Sequence, residues 1–177
     1  MRGLKDFVIS FSGLSDGSHV FSAEVDDTFF EAFPESEIRK GNALVKIDLL
    51  KRANMLTLDL SVEGEFSVQC DRCGNDYRQP LKGAWQLIVN TNADAFNDED
   101  DLISLPAVAH QFDLSKNVYE YVTLLLPARR ICGDPPDPSK GDCDPEIIAQ
   151  IEKLKPDGSD DDKSIDPRWD ALKNLKL

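Results

Sequence analysis

From Leu56 to Cys70 the chain alternates: Leu56, Leu58, Leu60, Val62, Phe66, Val68 and Cys70 share one phase with Gly64, and Asp59, Ser61, Glu63, Glu65, Ser67 and Gln69 fill the other. A period of two sustained this long predicts a half-buried strand. Gly64 has no side chain to pack, so a bend or bulge is expected there, letting the strand curl around a core. The alternation resumes at Tyr77, Leu81, Trp85, Leu87 and Val89. That is a returning strand, and the stretch CDRCGND becomes the hairpin connection between the two.

Upstream, Phe7, Ile9 and Phe11 alternate, GLSDG (13–17) has turn chemistry, and His19, Phe21, Ala23 and Val25 alternate again, which reads as another hairpin. A short helix or irregular piece through TFFEAFPESEIRKG leads to a strand with Val45, Ile47 and Leu49 on one side and Lys46 and Asp48 on the other. FNDEDD (96–101) has no period and is expected to be a solvated loop. The period then changes. Leu114, Val118, Tyr121, Val122 and Leu125 follow the spacing of an amphipathic helix that Pro127 would stop, and this helix should cover the open face of the sheet.

The segment ARRICGDPPDPSKGDC holds three prolines and two glycines and works against regular structure, so something must hold it. Beyond it, Asp144-Pro145 precedes EIIAQIEKLK and Asp166-Pro167 precedes RWDALKNLKL, each pairing an N-cap with a residue suited to the first helical turn. The DGSDDDKS between them has nothing to pack and reads as a flexible acidic tether. The expected fold is α+β: a curled antiparallel sheet of about five to six strands packed by one or two helices, with a C-terminal helical appendage. Residues 1–144 form the sheet domain with its covering helix and cysteine loop, and 145–177 the tethered helices.

Composition narrows the function. Hydrophobic residues make up 41% of the 177, which is enough to fold, and 20 Lys and Arg against 33 Asp and Glu leave a net charge of -13. Such a balance argues against a general phosphate-binding surface and for a basic partner. Residues 1–90 carry 10 basic and 14 acidic side chains, while 91–177 carry 10 and 19, so the repulsive field lies in the second half. No apolar run approaches the ~20 residues that span a bilayer, and the start MRGLKDFVISFSG is too short and polar for a signal peptide. A cytoplasmic protein with no membrane partner is expected. In a reducing compartment its four cysteines are thiols or metal ligands before they are disulfides.

GLSDG satisfies the G-x-S-x-G of a nucleophile elbow, but a strand pattern follows it where an elbow needs a helix, so Ser15 is a turn residue. His19 and His110 are the only histidines and stand in no metal-binding or triad spacing. Catalysis has little foothold, and neither an enzyme nor a small-molecule substrate is expected. The thiols remain. A redox pair at Cys70 and Cys73 would want a helix N-terminus, whereas C-x-x-C at a hairpin tip is the usual half of a zinc site. Cys132 and Cys143 would supply the other half, although they enclose ten residues instead of forming a second close pair. Arg72, Arg129 and Arg130 stand beside the cysteines, where they could offset the charge of four thiolates. The residues leave a shared zinc site, ordinary thiols and a redox pair open, in that order.

Three motifs in this order, VQCDRCGNDYRQPL, FDLSKNVYEYVTLLLPARRIC and IDPRWDALKNLKL, resemble the YceD family of large ribosomal subunit RNA accumulation proteins. The likeness covers most of 54–177 and falls on Cys70, Arg72, Cys73, Asp113, Pro127, Cys132, Asp166, Pro167 and Arg168. It departs at 132–144, where relatives carry a denser cysteine cluster than the Cys132 and Cys143 present here. The resemblance implies a non-enzymatic, cytoplasmic ribosome-biogenesis factor supporting accumulation or processing of large-subunit (23S) rRNA. Contacts with precursor rRNA, a basic ribosomal protein, or both would then run through Arg72, Arg129 and Arg130 and through Arg168 and Trp169 on the tethered helix. The acidic tether would hold the basic protein while the arginines near the cysteines touch RNA. Against this stand plainer roles: Trp169 and Leu172 packing their own helix, and arginines that only balance local acid. A thiol redox protein using Cys70 and Cys73 and a general protein-interaction module are the alternatives.

Overall fold

A computed structural model of the chain describes residues 4–94, 97–99, 102–133 and 142–155, with only the backbone of 97–99. The acidic tether and the last helix expected at Asp166-Pro167, with Arg168 and Trp169, lie outside the described residues, as do 134–141 of the Pro/Gly loop. The chain divides into two compact units, Met1–Cys143 and Asp144–Leu177.

In the first unit a 3-10 turn, Lys5–Phe7, leads into β1 (Val8–Ile9), β2 (Gly17–Val25), α1 (Asp27–Phe30), β3 (Lys40–Arg52), β4 (Met55–Gln69) and β5 (Asp76–Ala93). There follow β6 (Asn97–Glu99), β7 (Leu102–Pro106), β8 (Phe112–Asp113) and α2 (Ser115–Leu124). Six strands form one sheet in the order β2-β3-β4-β5-β7-β6, and β1 pairs with β8 in a separate ribbon. The class is α+β.

The period-two reading of β4 and β5 holds, with Gly64 and Trp85 only half-buried among the positions it turns inward. Leu56, Leu58, Leu60, Val62, Phe66 and Val68 are buried, and so are Tyr77, Leu81, Leu87 and Val89, while the intervening phases face outward. α2 covers this inner face as its spacing predicts. Leu114, Val118 and Val122 are fully buried in the same core, and Tyr121 stacks on Trp85 with ring centroids 4.6 Å apart. Asp113 closes the entry to the helix, its carboxylate accepting from the Ser115 amide at 2.9 Å. A second group of rings, Phe7, Phe29, Phe30 and Phe66 in edge-to-face contacts, fills the core beside α1. Asp26 caps α1 through the Phe29 amide.

Four expectations are corrected. The N-terminal hairpin does not form: β2 pairs with β3, and β1 pairs with β8. Alternation fixes which face a residue takes but says nothing of the partner strand. GLSDG remains a turn, with Lys51 Nζ donating to the Phe11 and Leu14 carbonyls. Secondly, the sheet is mixed, because β7 runs parallel to β5 and lies between it and β6. Thirdly, Asn97–Glu99 of the expected loop is an edge strand antiparallel to β7. Backbone pairing at an edge, with only one neighbour, tolerates side chains that a central strand would refuse. Finally, Gly64 makes no bulge, since β4 keeps unbroken register with both β3 and β5. Glycine is needed because a Cβ there would collide with the Asn42 carbonyl and with Ala43 on β3.

In the second unit, α3 (Pro145–Leu154) starts as its sequence predicts, with Asp144 accepting from the Glu146 amide and Pro145 in the first turn. No described helix is long and apolar enough to cross a membrane.

The Gly64 contact is with backbone, which cannot rotate aside. Gly64→Ala is expected to cost about 1–3 kcal/mol, the range of an overpacked site. Gly13→Ala, with nothing within 4 Å of the added Cβ, should stay within about 0.5 kcal/mol. Urea unfolding midpoints of the two variants check the contrast.

Candidate metal centre

β4 overshoots its last buried pair and delivers Cys70 to a tight turn. The Gly74 amide donates to the Cys70 carbonyl and the Cys70 amide to that of Asn75, both at 2.9 Å. Gly74 takes a φ of +76° to close the turn, and Gly133, directly after Cys132, takes +72°. Both cysteine segments therefore end in the left-handed conformation that glycine adopts without strain.

The four sulfurs converge. Cys132 Sγ lies 3.2 Å from Cys143, 3.4 Å from Cys70 and 3.6 Å from Cys73, and Cys70 lies 3.8 Å from Cys143. All four atoms are within 4.8 Å of one another and none is in a disulfide. Around a tetrahedral zinc with sulfur bonds of about 2.3 Å, adjacent sulfurs would stand about 3.8 Å apart. The donor set and its dimensions fit a metal ion. Cys70, Cys73 and Cys132 are buried and Cys143 is half-buried.

The sulfurs are not electrostatically equal. Burial pushes the Cys70 thiol up, but backbone amides of Cys73, Arg72 and Cys132 together outweigh it and bring the pKa down to about 6. The Arg72 amide is one such donor, 3.4 Å from the sulfur. Cys132 goes the other way, raised by burial and then by hydrogen bonds with Cys143, Cys70 and Cys73. Cys143 is raised as well, again chiefly by burial. The cluster thus favours one thiolate and resists the next, a conflict that a bound cation removes by neutralising every sulfur together.

A reciprocal clamp joins the two cysteine segments. The Asp71 amide donates to the Arg130 carbonyl and the Arg130 amide to the Asp71 carboxylate, both at 2.7 Å. The Arg130 guanidinium reaches Glu37 at 2.8 Å and lies 4.0 Å from Asp71. Tyr77, beneath the turn, donates to Gln79 and has its pKa raised by burial and then by negative charge on Cys70 and Asp71.

Of the arginines picked out in the sequence, Arg130 is thus half-buried and engaged with Glu37, whereas Arg72 and Arg129 are exposed. Among the described residues no ion pair joins the Arg72 guanidinium. Arg168 and Trp169 lie outside the described residues. Sequence reasoning missed Asp71 and Glu37. Asp71 stood in view between the cysteines, but its partner is a backbone amide that no pattern announces, and nothing in the sequence singles out Glu37.

A family model described as Large ribosomal RNA subunit accumulation protein YceD matches residues 58–176. No curated protein matches, and no solved structure does.

Removing the Asp71 acceptor leaves the Arg130 amide unpaired beside the cluster. Asp71→Ala is expected to lower stability by about 1 kcal/mol, and Glu37→Gln, which touches only an exposed ion pair, by less than about 0.5 kcal/mol. Urea titrations of both variants test the order; equal losses would locate the clamp in the ion pair instead.

Proposed function

The chain belongs to the YceD family, and on that premise we propose that it is a non-enzymatic assembly factor supporting accumulation of large-subunit rRNA, in contact with precursor rRNA, a basic large-subunit protein, or both. The observation that carries this reading is the family match across about two thirds of the chain, including all four cysteines. Within it, the four-sulfur cluster is a structural zinc site that ties the Pro/Gly loop to the β4–β5 hairpin. In finger peptides such zinc contributes about 10–16 kcal/mol of apparent binding energy, ample for that task.

Zinc would be held by Cys70, Cys73, Cys132 and Cys143 and would supply cross-linking with no open coordination position. The chain's own groups prepare the site: turn amides face Cys70, and the Asp71–Arg130 clamp sets the distance between the hairpin and Cys132. Arg72, projecting from the turn, is the side chain best placed to meet phosphate. Arg129 shares that exposed segment. A thiol redox role for Cys70 and Cys73 fits less well. Backbone amides do lower the Cys70 pKa, but Cys132 stands 3.4 Å from Cys70 and 3.6 Å from Cys73, so the pair is part of a four-sulfur cluster and not an isolated dithiol at a helix N-terminus.

Two measurements test the reading. Protein purified without added metal is expected to carry one zinc per chain, released by a thiol-blocking reagent and lost from Cys73→Ser; metal-free protein with disulfide reductase activity would revive the redox alternative. In gradients of gently lysed cells the protein should co-migrate with precursor large subunits, and Arg72→Glu should weaken that association. Absence from those particles overturns the assembly role.

A further inference from the structure

The two edges of the six-stranded sheet are unlike. One ends in β6, only three residues long and built from Asn97, Asp98 and Glu99. So short a strand is one way in which proteins protect a sheet edge. The other edge, β2, is not shortened in this way. It runs nine residues in unbroken register with β3, contains no proline and carries one acidic residue, Glu24. Outside the ladder with β3, no backbone group of β2 bonds to another backbone among the described residues.

Its side chains are incompletely covered as well. Val20, on the solvent face, is 73% exposed. Phe21, on the core face, packs against the core yet stays half-buried, where Val45, Ile47 and Leu49 on the adjoining strand are closed off. A further strand laid along β2 would satisfy its outer amides and carbonyls and close over both residues, one on each face.

Charge indicates the occupant. Asp16 precedes the strand, and Glu24 and Asp27 stand exposed at its far end. Of the four cations on β3, Lys51 is turned to the Phe11 and Leu14 carbonyls, Lys46 shares its face with Asp48 two residues on, exposed Arg52 stands at the Asp16 end, and exposed Lys40 lies beyond the Glu24 end. The edge therefore offers an apolar middle and one acidic end, where Glu24, Asp26 and Asp27 outnumber Lys40. An extended segment with β-branched residues at its centre and Lys or Arg at the flank that meets Glu24 matches it.

We propose that β2 is a strand-addition site for an extended basic segment of a partner protein. The proposal rests on the reading that the partner is a basic large-subunit protein and names the surface that takes it. It separates this contact from Arg72, which lies on the cysteine turn.

Overlapping synthetic peptides covering the basic extensions of the large-subunit ribosomal proteins, with an alternating Lys/Val peptide beside them, are titrated against the full chain and followed by amide hydrogen exchange. At least one ribosomal peptide is expected to bind, with new protection concentrated in 17–25. Val20→Lys, a change at an exposed position, should weaken it by about tenfold or more, Glu24→Lys should weaken it too, and Glu120→Lys, the same charge change at an exposed position on α2, should leave it unaltered. Binding of ribosomal peptides without protection of β2, or indifferent to Val20→Lys, overturns the edge and leaves the assembly reading intact. If only the Lys/Val peptide binds at β2, the edge stands and the ribosomal partner falls. Failure of every peptide overturns the proposal, as does a dimer that Val20→Lys converts to monomer, which would assign the edge to a second copy of the chain.

Discussion

The inward row of β4 can leave water only if it is covered along its whole length, and this requirement organises the first unit. A row of Leu, Val and Phe on one face of a long strand needs neighbours of comparable length on both sides, which β3 and β5 provide in unbroken register. It also needs a lid, which α2 and the Phe7, Phe29 and Phe30 rings supply, Phe30 meeting Phe66 of the row edge to face. Fully burying such side chains contributes about 1.5–3 kcal/mol each, far more than the exposed ion pairs Arg78–Glu65 and Lys82–Glu63 on the outer face of the same strands. The apolar row thus decides the register, and the register decides where the hairpin turn falls.

Where the row ends, the chemistry changes. Val68 is the last wholly apolar side chain of β4 to be buried, and Cys70, next in phase, is buried among sulfur and backbone amides. Within the cluster the amides favour a thiolate at Cys70 while Cys132 and Cys143 are driven toward the neutral form. Four sulfurs this close are therefore a poor arrangement for isolated thiols and a good one for a shared cation. The Asp71–Arg130 clamp holds the two segments together through main-chain bonds that do not involve the sulfurs. Assembly of the site and ligation are consequently separable parts of one device.

How much of this was legible followed from the kind of signal. Burial phase was readable wherever a strand or helix faced a single core, as in β4, β5 and α2, because one-sided burial prints its period on the sequence. Pairing was not. Phe7, Ile9 and Phe11 alternate as a strand should, yet only Val8 and Ile9 enter a ladder, with β8, whose two residues are too few to show any period. Leu102–Pro106 was equally hidden, its buried Ile103 and Leu105 being too short a run to mark a strand. The parallel placement of β7 between β5 and β6 is a topological choice that side-chain patterns do not encode. Convergence of the cysteines was left open by the sequence: C-x-x-C at a hairpin tip is half of a zinc site, while the ten residues between Cys132 and Cys143 left the other half ambiguous, and the geometry now joins all four.

The open edge and the sulfur cluster are connected through the 26–39 segment. β2 passes directly into α1, where Asp26 accepts from the Phe29 amide and Asp27 from the Gly41 amide of β3. Phe29, Phe30 and Ile38 anchor this connection in the core, and Glu37 near its end holds the Arg130 guanidinium beside Cys132. A strand edge binds well only when it is already straight and fixed, because ordering it on binding would cost about 1–2 kcal/mol per residue of backbone entropy. The unbroken ladder with β3, with Phe29, Phe30 and Ile38 anchored in the core just beyond the end of β2, removes much of that cost in advance. Because β2 and the exposed Arg72 belong to one compact unit but to different elements, the proposed contacts with a basic protein segment and with phosphate fall on different side chains.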